Sequence, residues 1–248
     1  MEMREDTGTT CKLFILSPEL PSWRLIVFSY GGKLQRIERQ GHHYGSGLNA
    51  LPLLSHFQAN PTDTYALRVG FAGMSGPLSN IDADGFASAS FHTWPDTLTW
   101  DAYSGDYGPN FLGLVLGSGT YVVQDPELGL VAYGGNLVNG SDGSVTVQPR
   151  DAVRRKVYLA MYGVQFAVDA GAIESVTYGG DRVGVKIASS VDGISGAAVA
   201  DSAILWVERM ANVGGKTNVV VDKTLSKERG GWKVDMKNGS FAVNVTFQ

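Results

Sequence analysis

A chain of 248 residues, 44% hydrophobic and 18% charged, can bury a sizeable core and is too apolar to remain disordered. Its formal net charge of −4, with basic residues scattered along the chain, argues against a nucleic-acid surface, and its single cysteine, Cys11, excludes an intrachain disulfide or a cysteine-rich metal site. No apolar run has the length of a transmembrane helix, and the start, MEMREDTGTT, lacks a basic stretch leading into an apolar one, so neither a membrane span nor a signal peptide is read.

Residues 1–33 are poorly patterned. Two apolar runs, Leu13–Leu16 and Leu25–Phe28, flank a turn-forming SPELP and fit short strands or helix fragments equally. Residues 34–59 predict helix in two pieces, the second with Leu48, Leu51, Leu54 and Phe57 at spacings of three and four, the period of one helical face. Pro52 lies inside that run, so the helix either starts near it or bends there. After the break Asn60-Pro61, Thr62 or Asp63 is placed to cap a second helix reaching about Met74, which the small residues of 73–76 end.

Residues 80–111, NIDADGFASASFHTWPDTLTWDAYSGDYGPNF, keep no apolar period and gather five aspartates with His92, Trp94, Trp100, Tyr103 and Tyr107. A long acidic and aromatic loop is the kind of segment that carries function. Residues 111–123 then read as a helix leading into a strand. Beyond them short alternating runs follow at 144–148, 156–160, 164–170, 173–178, 182–188, 203–209, 218–222, 232–236 and 240–247, separated by turn signals such as Asn139-Gly140, Asp142-Gly143 and Gly179-Gly180-Asp181. The expected fold is therefore mainly β with an α-helical N-terminal part. Residues 1–33 form a separate segment, 34–120 the helices and loop, and 121–248 a β-sandwich.

Several motif fragments fail on a missing partner. Asn80-Ile-Asp82-Ala-Asp84-Gly85 matches the first half of a calcium loop, but Phe91 stands where the bidentate carboxylate belongs; an Asx turn accounts for it, and calcium stays an open alternative without a metal ligand set to assign. Trp94-Pro95-Asp96 matches a phosphatase acid loop, but Cys11 is followed by KLFILSPE and not by the phosphate-cradling loop and arginine such a nucleophile needs. Gly214-Gly215-Lys216-Thr217 ends like a phosphate loop, but Met210 replaces its first glycine. Three tripeptides of glycosylation-acceptor type, at Asn139, Asn238 and Asn244, are of the kind that arises by chance in a chain rich in Gly, Ser and Asn.

The sharper idea is a carboxylate pair. Asp101 and Asp106 lie in WDAYSGDYG, and cleavage of a glycosidic bond needs one protonated and one ionised carboxyl group flanking it. Trp94, Trp100, Tyr103 and Tyr107 offer faces for the C–H surfaces of sugar rings and would desolvate one acid, raising its pKa. His42, His43, Tyr44, His92 and Asp96 complete the expected substrate-binding set. The competing reading is that these aspartates only cap turns in a glycine-rich loop.

The segments HHYGSGLNALPLL, SNIDADGFASASFHTWPDTLTWDAYSGDYGPNF and GLVAYGGNL, together with their surroundings from about Arg36 to Tyr178, resemble a family of large proteins of unassigned function related to six-hairpin glycosidases. The resemblance implies an (α/α)6 toroid followed by a β-sandwich, and carbohydrate as substrate or ligand. Twelve toroid helices need roughly 300 residues. On this reading the chain corresponds to the last hairpin or so of the toroid plus the sandwich, a fragment or shortened relative. It implies a glycoside-hydrolase-like protein or, alternatively, a non-catalytic carbohydrate-binding or structural module, and it supplies no catalytic pair to carry over.

Overall fold

A computed structural model describes residues 2–4, 10–12, 28–31, 41–42, 45–79, 92–94, 99–100, 119–152, 154–189, 200–214, 218–221, 224–237 and 240–247. Contacts divide the chain into two units, Met1–Ser55 with Tyr65–Gly117, and His56–Thr64 with Ser118–Gln248. The chain is mainly β, with two helices near its N-terminus among the described residues.

In the first unit, six short strands pair in chain order, all antiparallel: β1 (Glu2–Arg4), β2 (Thr10–Lys12), β3 (Phe28–Gly31), β4 (Gly41–His42), β5 (His92–Trp94) and β6 (Thr99–Trp100). The expected helical N-terminal part thus also contains a strand ladder. Strands of two to four residues are too short to print a period-two pattern on the sequence. Residues 34–40, expected to be helical, lie outside the described residues.

Between β4 and β5 come α1 (Gly45–Ala59) and α2 (Thr64–Ser79). Helix α1 runs through Pro52, which is exposed and removes only one ladder hydrogen bond. Asp63 immediately precedes α2, in the capping position, and α2 continues to Ser79 across the small-residue run expected to stop it. Just before that run, at Gly70, the two helices cross closely. A Cβ on Gly70 would lie 2.9 Å from Leu54 Cγ and 3.2 Å from the carbonyl oxygen of Ala50. Small residues here let two helices approach, and packing outweighs their weak intrinsic propensity. Leu54, Leu67 and Met74 are buried in this unit.

The second unit is a β-sandwich. Its strands are β7 (Thr120–Asp125), β8 (Gly129–Tyr133), β9 (Gly135–Asn139), β10 (Val145–Pro149), β11 (Lys156–Leu159), β12 (Val164–Val168), β13 (Ala172–Gly179), β14 (Arg182–Ala188), β15 (Ser202–Arg209), β16 (Val219–Val221), β17 (Lys227–Glu228), β18 (Gly231–Asp235) and β19 (Ser240–Phe247). One sheet has the order β16-β19-β14-β13-β10-β9, the other β17-β18-β15-β12-β11-β7-β8. Every pair is antiparallel except β7–β11. The inward residues follow from strand alternation: Val183, Val185 and Ile187 of β14 and Val243, Val245 and Phe247 of β19 meet Val164, Phe166, Leu205 and Val234 of the other sheet.

Strands β8 and β9 were not legible as strands. The chain passes directly from one sheet to the other at Gly134, whose φ is +80°, and all of β8 is half-buried, so no alternation marks it. The corner is tight: a Cβ on Gly135 would come 2.8 Å from Thr120 Cγ2 and 3.0 Å from the Gln148 carbonyl oxygen. The carbonyl of Gly134 accepts from Thr120 Oγ1 at 3.1 Å and from the Arg150 amide at 3.0 Å.

Candidate functional site

Strand pairing lines up one residue from each of five strands across the outer face of the six-stranded sheet. Val138 is opposite Thr146, Thr146 opposite Thr177, Thr177 opposite Gly184, and Gly184 opposite Asn244. Alternation turns Val147, Val176, Val185 and Val243 inward, so these neighbours must face out. Glycine at position 184 leaves a gap in the row, and even a Cβ there would find nothing nearer than 3.9 Å.

The gap is part of a groove of about 720 Å³, lined by residues 142–144, 177–180, 182–184 and 244–246. Beside Tyr178, Val183 and Val245, its side chains are amide, hydroxyl and charged groups: Asn244, Thr177, Thr246, Ser144, Asp142 and Arg182. Thr177 Oγ1 is 2.8 Å from Thr146 Oγ1 in a cross-strand hydroxyl pair. Asp142 Oδ1 accepts from Ser144 Oγ at 2.6 Å and from the Ser144 amide at 3.0 Å. Those bonds, the hydroxyl first, hold its carboxyl below the usual carboxylate range and keep it ionised. Arg182, by contrast, has no hydrogen-bond or carboxylate partner among the described residues.

The aromatic residues nearby form a wall. Tyr162 stacks on Phe247 with centroids 4.8 Å apart and meets Tyr178 edge-on at 6.0 Å. The Tyr162 hydroxyl donates to the Gly180 carbonyl at 2.8 Å. The Tyr178 hydroxyl is buried without a partner among the described residues, and burial, with Tyr162 beside it, pushes it up to about 12.

Chemically, this arrangement can hold a polyhydroxylated molecule through alternating donors and acceptors. Among the described lining residues Asp142 is the one carboxylate, whereas glycosidic hydrolysis uses a pair.

The residues singled out from the sequence lie in the first unit. Register places His42 opposite His92, Thr93 opposite Trp100 and Trp94 opposite Thr99, so four of them fall on three neighbouring strands. His92 and Trp94 share one pleat phase, whereas Trp100, paired with Thr93, belongs to the other. His43, Tyr44, Asp96, Asp101, Tyr103, Asp106 and Tyr107 lie outside the described residues, as does the calcium-like segment 80–85. Among the described residues no three His, Cys, Asp or Glu side chains converge as a metal site, and no helix is long and apolar enough to cross a membrane.

Sequence reading did not select the groove. Its signals were present: the glycine inside RVGVKIA, and the tripeptide Asn244-Val-Thr246, whose two polar residues stand on the outward phase of β19. What was missing was the register that assembles them.

Fold and groove together define a β-sandwich protein with a polar, open sheet face. The chain belongs to DUF5695, a family of unknown function whose model matches residues 22–243. No curated protein and no solved structure matches it.

Proposed function

We propose that this chain is a carbohydrate-active protein whose sandwich binds a polysaccharide or oligosaccharide chain in the groove over Gly184. The observation that carries this reading is the outward row of Thr146, Thr177, Gly184 and Asn244, a hydrogen-bonding surface with a gap at its centre. Sugars present hydroxyl groups that both donate and accept, and Asn, Thr and Ser side chains answer both. The test is calorimetric titration of the full chain with a panel of neutral and acidic oligosaccharides, repeated with Gly184→Leu and Asn244→Ala. Saturable binding that both substitutions weaken supports the reading. An absence of binding across the panel, or binding that neither substitution alters, overturns it.

Hydrolysis is the second reading, favoured by the cross-strand register of His42 with His92 beside Trp94. On it, Asp101 and Asp106 supply the acid and the base or nucleophile, Trp94, Trp100 and Tyr103 stack on the sugar, and the helix pair 45–79 is the end of an (α/α)6 toroid. Replacing Asp101 and Asp106 separately by Asn and assaying product release from a polysaccharide panel decides it. Turnover unchanged in both variants sinks the catalytic assignment and leaves the binding one standing.

A further inference from the structure

Beside the outward row that contains Gly184 runs a second one, and this row carries charge. In it Arg182 of β14 is opposite Gly179 of β13 on one side and Thr246 of β19 on the other. Ser144 of β10 comes next, since a Cβ on Gly179 would lie 3.6 Å from its Cα. Val183 and Val245 point inward, so Arg182 and Thr246 point out, and Arg182 is exposed. Where the two rows cross β13 and β14, Gly179 and Gly184 contribute no side chain. The floor of the groove is therefore bare backbone at two adjoining positions.

Asp142 and Arg182 are the charged side chains among the described lining residues. Arg182 is two strands away from Ser144, a span of roughly 9–10 Å between Cα positions. Asp142 lies in the turn before Ser144, its Oδ1 accepting from the Ser144 hydroxyl and amide at 2.6 and 3.0 Å. Gly179 separates the two charges, so an anion stands on one side of the floor and a cation on the other. An ionised carboxylate accepts from sugar hydroxyls and repels a carboxylate on the ligand. A guanidinium does the reverse, because its planar fork meets a carboxylate with two parallel hydrogen bonds. A sugar ring seated over the glycines is thereby oriented, its hydroxyls toward Asp142 and an acid group toward Arg182. The strand bears a second outward cation, Lys186, but this lies outside the lining, and its Nζ is 2.6 Å from Glu174 Oε1. Arg182 is thus the cation of the groove itself.

We infer that the groove selects an acidic glycan, a chain containing uronic acid units, and that Arg182 is the residue that reads the carboxylate. The inference rests on the glycan binding proposed above and adds the class of sugar and the specificity-determining side chain.

The experiment is calorimetric titration of the full chain with short oligomers of galacturonate, mannuronate and glucuronate. Each is used as its sodium salt and as its methyl ester, which keeps the shape and removes the charge, at one fixed ionic strength and beside a panel of neutral oligosaccharides. At least one salt is expected to bind at least tenfold more tightly than its ester. Arg182→Gln should bring salt and ester to the same affinity, and Arg182→Lys, which keeps the charge but loses the fork, should leave a reduced preference. Lys186→Gln removes the same unit of charge from the same face and should leave the preference intact. Salt and ester bound alike by the parent, tighter binding of the neutral sugars, or a salt preference that survives Arg182→Gln overturns the inference and leaves glycan binding standing. Equal losses from Arg182→Gln and Lys186→Gln overturn it too, since they show attraction by the face as a whole. No binding of any sugar sinks both readings. The comparison of salt with ester on the parent needs no variant, so it decides even where a substitution impairs folding.

Discussion

The two outer faces of the sandwich are built by the same strand geometry and have opposite characters. On the six-stranded sheet the row Thr146, Thr177, Gly184 and Asn244 is polar and open. On the seven-stranded sheet the equivalent row is Tyr121, Tyr158, Gln165 and Glu208, and its first three members are buried. The difference is a cover. Residues 56–64 belong to the same unit and set Phe57, which is fully buried, edge-on to Tyr158 at 5.8 Å and to Tyr121 at 6.2 Å. Hydrogen bonds complete the join: the Tyr158 hydroxyl donates to the Gln58 carbonyl at 2.8 Å, and Gln58 Nε2 donates to Gln165 Oε1 at 2.6 Å. A sheet face is available for a ligand only where the chain does not use it for its own packing. Here one face is used for stability and the other is left open.

Truncation should separate the two faces most sharply. Phe57→Ala removes a wholly buried ring and should cost about 3–5 kcal/mol, whereas Asn244→Ala on the open face should stay within about 0.5 kcal/mol. Urea unfolding of the two variants measures both, and equal midpoints would show that the two faces do not differ as described. Tyr158→Phe should cost less, about 1–3 kcal/mol, since it keeps the ring and leaves the buried Gln58 carbonyl without its donor. Calorimetric or denaturant stability that does not move would mean the bond contributes nothing.

Alkaline pH supplies a gentler test. Burial pushes the Tyr158 hydroxyl from its usual value near 10 up to about 12, and the Tyr178 hydroxyl likewise. Between those values the unfolded chain has lost protons that the folded chain retains, so stability falls as pH rises from about 10 to about 12 and is complete below that window. Tyr158→Phe should flatten part of this slope, as read from unfolding midpoints at successive pH values. The smallest effect on stability is expected at Gly184→Leu, because the space above the glycine is empty. Its unfolding midpoint should match the parent within about 0.5 kcal/mol while groove binding falls at least tenfold. A variant that binds as the parent does would remove the groove from consideration.

Alternation made the sandwich legible. VQFAVDA and FAVNVTF carry apolar residues every second position, and the strands β12 and β19 lie where that pattern puts them. The helix face of Leu54 and Phe57 was legible for the same reason, at its own period. Yet periodicity states only that a face is buried. Tyr121 and Tyr158, on outward positions of their strands, break the rule that outward means polar, because Phe57, about 60 to 100 positions away in sequence, covers them. Strands β8 and β9 were missed because a strand that changes sheets at a glycine has no single exposed side.

The candidate residues divide along the same line. Composition alone drew attention to the loop of 80–111, and the register of β4, β5 and β6 adds that His42 meets His92 while Trp94 and Trp100 differ in pleat phase. The groove had no local signature of comparable weight, since Ser, Thr, Asn and Gly are ordinary residues for an exposed strand face.

Local chemistry in the sequence therefore determined the alternating strands of the sandwich, the apolar helix face and the turns between those strands, because those depend on neighbours two to four residues apart. Tertiary structure alone decided which sheet face is covered and which is left polar. Each of those outcomes is set by residues brought together across dozens of positions, and no spacing in the chain records them.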